Sequence, residues 1–401
     1  MPHDVSLIST IAVGLALAFL GGFAALRLGV PPIVGYLLAG VAIGPFTPGF
    51  IANTHLAGQL AEIGVMLLMF GVGMHFSLRD LLAVWRIAVP GAAVQIVVAT
   101  LLGIGAAHLW GWNFGAGLVF GLALSVASTV VLLRALEERG MLGLSDGRIA
   151  VGWLIVEDLL MVAALVVLPA LAGLLGGSGS EPASSLALAL ALTFGKIAGF
   201  VVLMLVVGAR VLPWLLDEVV RTGSRELFTL AVIAAALGIA FAAAELFGVS
   251  FALGAFLAGI VVNESDHSHR AAEQAKPLED AFAVLFFLSV GMLFDPAILL
   301  SHPLQVLVAL AIILFGKSLA AFVIVRIAGY KSATALTVAA SLAQIGEFSF
   351  MLAALGAAYG LLSAEGRNLI LAGAIVSITL NPAAFAAAAA LRRRLSPTQP
   401  I

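Results

Sequence analysis

The chain runs in long apolar stretches rich in Ala, Leu, Gly and Val, separated by short polar or Gly/Pro breaks. A hydrocarbon span needs about 20 apolar residues, and inside it every backbone polar group must be satisfied by the chain itself. A transmembrane barrel would show short alternating segments instead. Only 10% of the 401 residues are charged and 62% are hydrophobic. A soluble domain carries about 25% charge, so these charges cannot coat a water-facing surface of this size. A soluble enzyme is excluded, and an all-α polytopic membrane protein is expected. The net charge of −2 leaves no basic surface for nucleic acid. The absence of cysteine removes disulfides, thiolate metal sites and cysteine nucleophiles. The start, MPHDVSLIST, has no Lys or Arg before its apolar run, which reads as a retained first helix rather than a secretory signal.

Cutting at the punctuation gives thirteen candidate spans, at residues 6–27, 30–46, 58–76, 87–108, 115–136, 148–175, 187–213, 226–245, 249–263, 281–295, 304–327, 333–359 and 366–391. With this cut, all but three of the 19 Lys and Arg residues fall on connections facing one side. Arg367 faces the other, and Lys196 and Lys317 lie within spans. By the positive-inside rule the N-terminus is outside and the C-terminus cytoplasmic.

The sequence also matches itself. Residues 24–40, AALRLGVPPIVGYLLAG, align with 243–259, AAELFGVSFALGAFLAG, with eight identities in seventeen positions. Val72-Gly73-Met74-His75-Phe76 matches Val290-Gly291-Met292-Leu293-Phe294 at nearly the same offset, 218 against 219. An odd number of spans separates the related segments, so the copies face opposite ways. An inverted repeat of six plus six helices is expected: residues 1–180, then a linker helix at 181–222, a second repeat at 223–391 and a cytoplasmic tail at 392–401. Inverted repeats give secondary transporters two interchangeable access states around one central site.

Ionisable groups deep in a span are costly and mark function. Glu157 and Asp158 lie about nine residues from the cytoplasmic Arg148, close to the midplane at about 1.5 Å per residue. Two adjacent buried carboxylates repel each other, so they invite a proton or a dehydrated monovalent cation. Lys317, in the middle of IILFGKSLAAFVIV, offers a counter-ion to either acid. Glu347, in SLAQIGEFSFML, corresponds to Ser128 under the offset of 219. Ser125–Thr129 and Gln344–Glu347 thus occupy matching places, each gathering polar residues in an apolar run. Both helices are expected to be locally unwound and to cross, freeing backbone groups for a cation. Glu62, Lys196 and Glu245 lie near span ends and read as structural. His267 and His269, in NESDHSHRAAEQ, read as part of a solvated loop rather than a metal site.

These residues together, Val156-Glu157-Asp158-Leu159, Ser128-Thr129, Lys317 and Gln344-Ile345-Gly346-Glu347-Phe348, resemble the monovalent cation:proton antiporter-2 family, in its Kef-type and YbaL-like branch. The similarity extends to Pro32–Leu37 and Gly71–Met74. It implies thirteen helices, with a dimerisation part and a six-helix core holding two crossed, broken helices. It further implies an elevator movement of that core, a homodimer, and an ion-binding aspartate at Asp158 with Glu157 at the variable position before it. Relatives carry Asp, Asn or Gln at that position, so Glu here leaves ion choice and electrogenicity open. Kef-type proteins often continue into a cytoplasmic nucleotide-binding regulatory domain, for which no length is left after Arg394; it is expected to be missing or separate.

The expectation is therefore exchange of K⁺ or Na⁺ for H⁺ across a bacterial inner membrane. Its site comprises Asp158, Glu157, Ser128, Thr129, Lys317, Glu347 and Gln344, with the cation at Asp158 and Glu157. Membrane lipid, cation, proton and a second copy are the partners, and no cofactor is implied. A sodium-coupled organic-anion symporter on the same scaffold and a gated cation channel are the alternatives. A membrane aspartyl protease ranks last, because no second deep aspartate stands on a separate helix.

Overall fold

The computed structural model describes residues 6–48, 50–75, 78–142, 144–178 and 186–395. Phe76 of the second internal match, the start of the linker at 181–185 and the tail beyond residue 395 lie outside the described residues. In chain order the helices are α1 (Ser6–Arg27), α2 (Pro32–Ala42), α3 (Thr54–His75), α4 (Leu78–Leu109), α5 (Phe114–Ser125) and α6 (Thr129–Glu137). They continue with α7 (Ser145–Leu171), α8 (Leu186–Leu203), α9 (Ala209–Arg221), α10 (Arg225–Phe247), α11 (Phe251–Asn263) and α12 (Ser268–Met292). The last are α13 (Ile298–Ser301), α14 (Pro303–Ala311), α15 (Lys317–Ile327), α16 (Ser332–Ser341), α17 (Glu347–Ala358) and α18 (Ala364–Leu395). Single π-helical turns, Met204–Gly208 and Ile312–Gly316, join α8 to α9 and α14 to α15. No strand occurs among the described residues. Nine helices there are long and apolar enough to cross a membrane, and α2, α11, α16 and α17 are shorter apolar helices.

The chain divides into two compact units, and each draws on both halves of the sequence. The first comprises Met1–Gly21, Tyr36–Ser77 and Glu181–Leu293. Within it α3 packs most extensively on α11 and α12. Glycine permits the close approach. A Cβ at Gly73 would stand 2.2 Å from the Phe256 carbonyl, and one at Gly259 would stand 2.2 Å from the Phe70 carbonyl. The same arrangement recurs between α2 and α12, where a Cβ at Gly40 would meet Leu288 O at 2.0 Å and one at Gly291 would meet Leu37 O at 2.1 Å. Contacts at this distance are how membrane helices gain dispersion energy without a hydrophobic driving force. Ala18, Ile43, Leu288 and Met292 fill the space beside the second crossing. His267, expected in a solvated loop, is tied down: its Nε2 lies 2.9 Å from Asp217 Oδ1, and its ring meets Phe228 edge-on. No cluster of metal-ligating side chains occurs among the described residues.

The second unit comprises Gly22–Gly35, Leu78–Ser180 and Phe294–Ile401. Here α4 packs along α5 and α7, and α15 lies against α4 and α16. Gly91 admits the Trp153 ring, which a Cβ would meet at 2.3 Å. Two apolar helical stretches are interrupted in this unit. The first breaks at residues 126–128, between α5 and α6, and the second at 342–346, between α16 and α17. All the site residues expected from the sequence lie in this unit.

Candidate transport site

The two breaks touch each other through backbone. A Cβ on Gly346 would come within 2.3 Å of Ser128 Cβ and 2.4 Å of Ser128 Cα, so only glycine fits there. Gln344 bridges the breaks like a strand residue: its Oε1 accepts from Ser128 N at 2.9 Å and its Nε2 donates to Ser128 O at 3.2 Å. Ser128 Oγ caps α6 by accepting from Val131 N at 3.3 Å. Ser128 and Gln344 therefore satisfy the unwound backbone rather than pointing free oxygens at a cation.

The freed amides at the helix starts find carboxylates. Ala127 N donates to Glu157 Oε2 at 2.9 Å, and Thr129 N donates to Glu347 Oε1 at 3.3 Å. Thr129 Oγ1 donates to Asp158 Oδ2 at 3.0 Å. Thr129 thus serves Asp158 with its hydroxyl and Glu347 with its amide. All three acids are buried, and each has one oxygen without a hydrogen-bond partner among the described residues: Glu157 Oε1, Asp158 Oδ1 and Glu347 Oε2. Buried carboxyl oxygens left open in this way suit a proton or a hard cation. The positive ends of α6 and α17 face them, which partly offsets the charge.

On the other side of the breaks, freed carbonyls meet a cation of the protein's own. Lys317, the first residue after a π-helical turn, is fully buried and donates to Gln344 O at 2.6 Å and Ser125 O at 3.4 Å. The direct ion pair with Glu157 or Asp158 expected from the sequence does not form. The carbonyl that closes α5 and a carbonyl of the second break capture the ammonium instead, and Glu157 acts on it through space. Glu157 and Asp158, expected to hold one cation together, thus face different surroundings: Glu157 toward Lys317, Asp158 toward Thr129 and Glu347.

Two residues join the cluster that the sequence reading did not single out. Gln95, buried in α4, donates through Nε2 to Ser125 O at 2.9 Å. Its Oε1 accepts from Trp153 Nε1 at 3.5 Å. An amide alone in the run PGAAVQIVVATLL was the available signal. Glu62, Lys196 and Glu245 are exposed and take no part.

Interrupted membrane helices meeting at buried carboxylates define an ion-coupled secondary transporter. The comparisons agree: the sodium/hydrogen exchanger transmembrane family matches residues 15–390, and the chain belongs to that family of monovalent cation:proton antiporters. It is 62% identical to the putative cation/proton antiporter YbaL of Escherichia coli over 96% of this chain and 69% of that one. It is 34% identical to K(+) efflux antiporter 4 of Arabidopsis thaliana over 95% of this chain and 64% of that one. The fold resembles the sodium proton antiporter MjNhaP1 of Methanocaldococcus jannaschii, with a TM-score of 0.73 at 18% identity, covering 96% of this chain and 98% of the other.

Proposed function

We propose that this chain exchanges K⁺ or Na⁺ for H⁺ by elevator-type alternating access, with Asp158 as the residue that both species compete for. The observation that carries this is the shared Thr129, whose hydroxyl and amide hold Asp158 and Glu347 so that each keeps one open buried oxygen. A cation at Asp158 would take Asp158 Oδ1 and Glu347 Oε2 as ligands, and a proton on Asp158 would remove the charge that binds it. One carboxylate cannot hold both at full strength, so loading one releases the other. Lys317 offsets the negative end of α5 and the freed Gln344 carbonyl and, with Glu157, sets the charge of the unloaded site. Ser128 and Gln344 keep the two breaks in register. Cofactors have no role in the proposal.

A cavity of about 320 Å³ lies against the first turn of α6, lined by Val130, Val131, Arg134 and Asn381 among others. We assign it as the cytoplasmic approach to Thr129. The proposal keeps the N-terminus outside, the C-terminus cytoplasmic and the chain in a bacterial inner membrane, as a homodimer. Counting α2, α11, the apolar half of α12 and the pair α16–α17 as crossings brings the total to thirteen. The two glycine crossings support the inverted repeat at 1–180 and 223–391: Gly40 and Gly259 are 219 apart, Gly73 and Gly291 are 218 apart, and each pair of contacts joins one member of each match.

The test is proton movement in proteoliposomes with a pH-sensitive dye, adding K⁺, Na⁺ or Li⁺ in turn, with Asp158→Asn beside the parent. Cation-triggered collapse of a pH gradient, absent in Asp158→Asn, is the expected result. No response to any cation between about pH 6 and 9, the range in which transport carboxyls are tuned to work, would end the antiport reading. Uptake of an organic anion without proton movement, or single-channel currents, would replace it with the symporter or channel.

A further inference from the structure

Ser125 closes α5 just before the first break and Gln344 stands inside the second, and their numbers differ by 219, the offset of the internal match. Each carbonyl receives a side-chain donor from the long helix that precedes its broken pair. Lys317 of α15 gives an ammonium to Gln344 O at 2.6 Å, and Gln95 of α4 gives an amide to Ser125 O at 2.9 Å. The two donors stand 222 residues apart, three beyond the offset. Three residues are close to one helical turn, so the donors occupy the same face, and the π-helical turn at Ile312–Gly316 lies just before Lys317.

We propose that Gln95 is a positioning residue of the transport site, the uncharged counterpart of Lys317. Lys317 also reaches Ser125 O, at 3.4 Å, and shares that oxygen with the Gln95 amide, which lies closer at 2.9 Å. The amide therefore holds the ammonium toward Gln344 O and fixes the end of α5, on which the backbone of Ala127–Thr129 depends. Trp153 sets the amide's orientation by donating to Gln95 Oε1, and Gly91 leaves room for its ring. One amide and one ammonium leave a single full positive charge between two buried carbonyls, the last of α5 and one of the unwound second break, that each need a donor. Two ammonium groups would repel each other, and without the ammonium Gln344 O would lose its side-chain donor.

This inference rests on the antiport reading, and its test separates the two. Cation KM and kcat are measured in proteoliposomes for the parent, Gln95→Met, Lys317→Gln and the exchange variant carrying Gln95→Lys with Lys317→Gln. Loss of one buried hydrogen bond corresponds to roughly a tenfold effect. Gln95→Met is expected to raise KM about tenfold with kcat changed less, and the exchange variant to recover transport lost in Lys317→Gln. Parent-like kinetics in Gln95→Met would overturn the proposal. So would an exchange variant that elutes and melts like the parent yet transports no better than Lys317→Gln. If Gln95→Met does not fold, the exchange variant decides, since its lysine fills the same space. If the parent itself moves no cation, the antiport reading fails, and Trp153 emission then decides about the amide. A shift in Gln95→Met that vanishes in a Trp153→Phe background supports the contact, and no shift overturns it.

Discussion

Adjacent residues on an α-helix point about 100° apart, and this separates the two acids that the sequence places side by side. Asp158 turns to Thr129 and Glu347, whereas Glu157 turns to Ala127 N and the field of Lys317. Their substitutions should therefore differ in kind. Glu347→Gln removes a charge from the Asp158 side and is expected to raise the cation KM about tenfold, the loss of one charge-assisted contact. Glu157→Gln is expected to leave KM within about threefold, because a charge across the cluster is felt through space rather than as a ligand. It should instead make exchange respond differently to an imposed membrane potential, since Lys317 loses its balancing charge. Measuring both variants at clamped potential checks the pair; equal KM effects would contradict the division. The acids and the lysine were legible because a charge in an apolar run stands out. Gln95 was harder to single out, since a lone amide in a span is also a common helix contact.

At the scale of elements, the sequence located both interruptions but not their form. Polar residues at Ser125–Thr129 and Gln344–Glu347 marked them, and the helices break at 126–128 and 342–346. The second break begins before its polar cluster, because Leu342 and Ala343 are already out of helix where Asn381 and Ser377 meet the chain on either side, at Ala340 O and Ile345 N. No local propensity encodes those partners, which come from α18. The direct backbone contact of the breaks makes Gly346→Ala a sharp test. A methyl group 2.3 Å from Ser128 Cβ must push the two segments apart. Overpacking of this sort costs typically 1–3 kcal/mol, so a lower melting temperature is expected. Transport should fall at least tenfold, because the displaced Ser128–Thr129 backbone carries the hydroxyl that serves Asp158. A variant that melts lower yet transports like the parent would show that the crossing can shift without disturbing the site.

For the whole molecule, the two compact units interleave the halves of the chain, so neither half of the sequence makes up a unit by itself. The glycine crossings within the first unit should then be matched in importance. Gly40→Ala and Gly259→Ala would each place a methyl about 2 Å from a carbonyl of the facing helix, and both are expected to lower the melting temperature by similar amounts. A loss confined to one would argue against equivalent roles in the two copies. The absence of cysteine allows a clean test of orientation. Asp266→Cys should be labelled by a membrane-impermeant maleimide only after the cytoplasmic side is opened, and Ala364→Cys in intact cells. The opposite pattern would reverse the topology drawn from the arginines.

Some of this protein was written in the order of its residues. Sparse charge determined that it is a helical membrane protein, the distribution of Lys and Arg set the expected orientation, and the internal match raised the expectation of an inverted repeat. The costly residues Glu157, Asp158, Lys317 and Glu347 marked the site proposed here, because hydrocarbon makes every buried charge conspicuous. What only the tertiary structure decided is who meets whom. Lys317 bonds to carbonyls rather than to an acid, Asp158 shares Thr129 with Glu347, and Gln95 serves Ser125. These partners lie far apart in the chain or point to different sides of one helix. Their choice depends on which backbone groups are left unsatisfied when two broken helices meet, and a linear pattern of polarity does not record that.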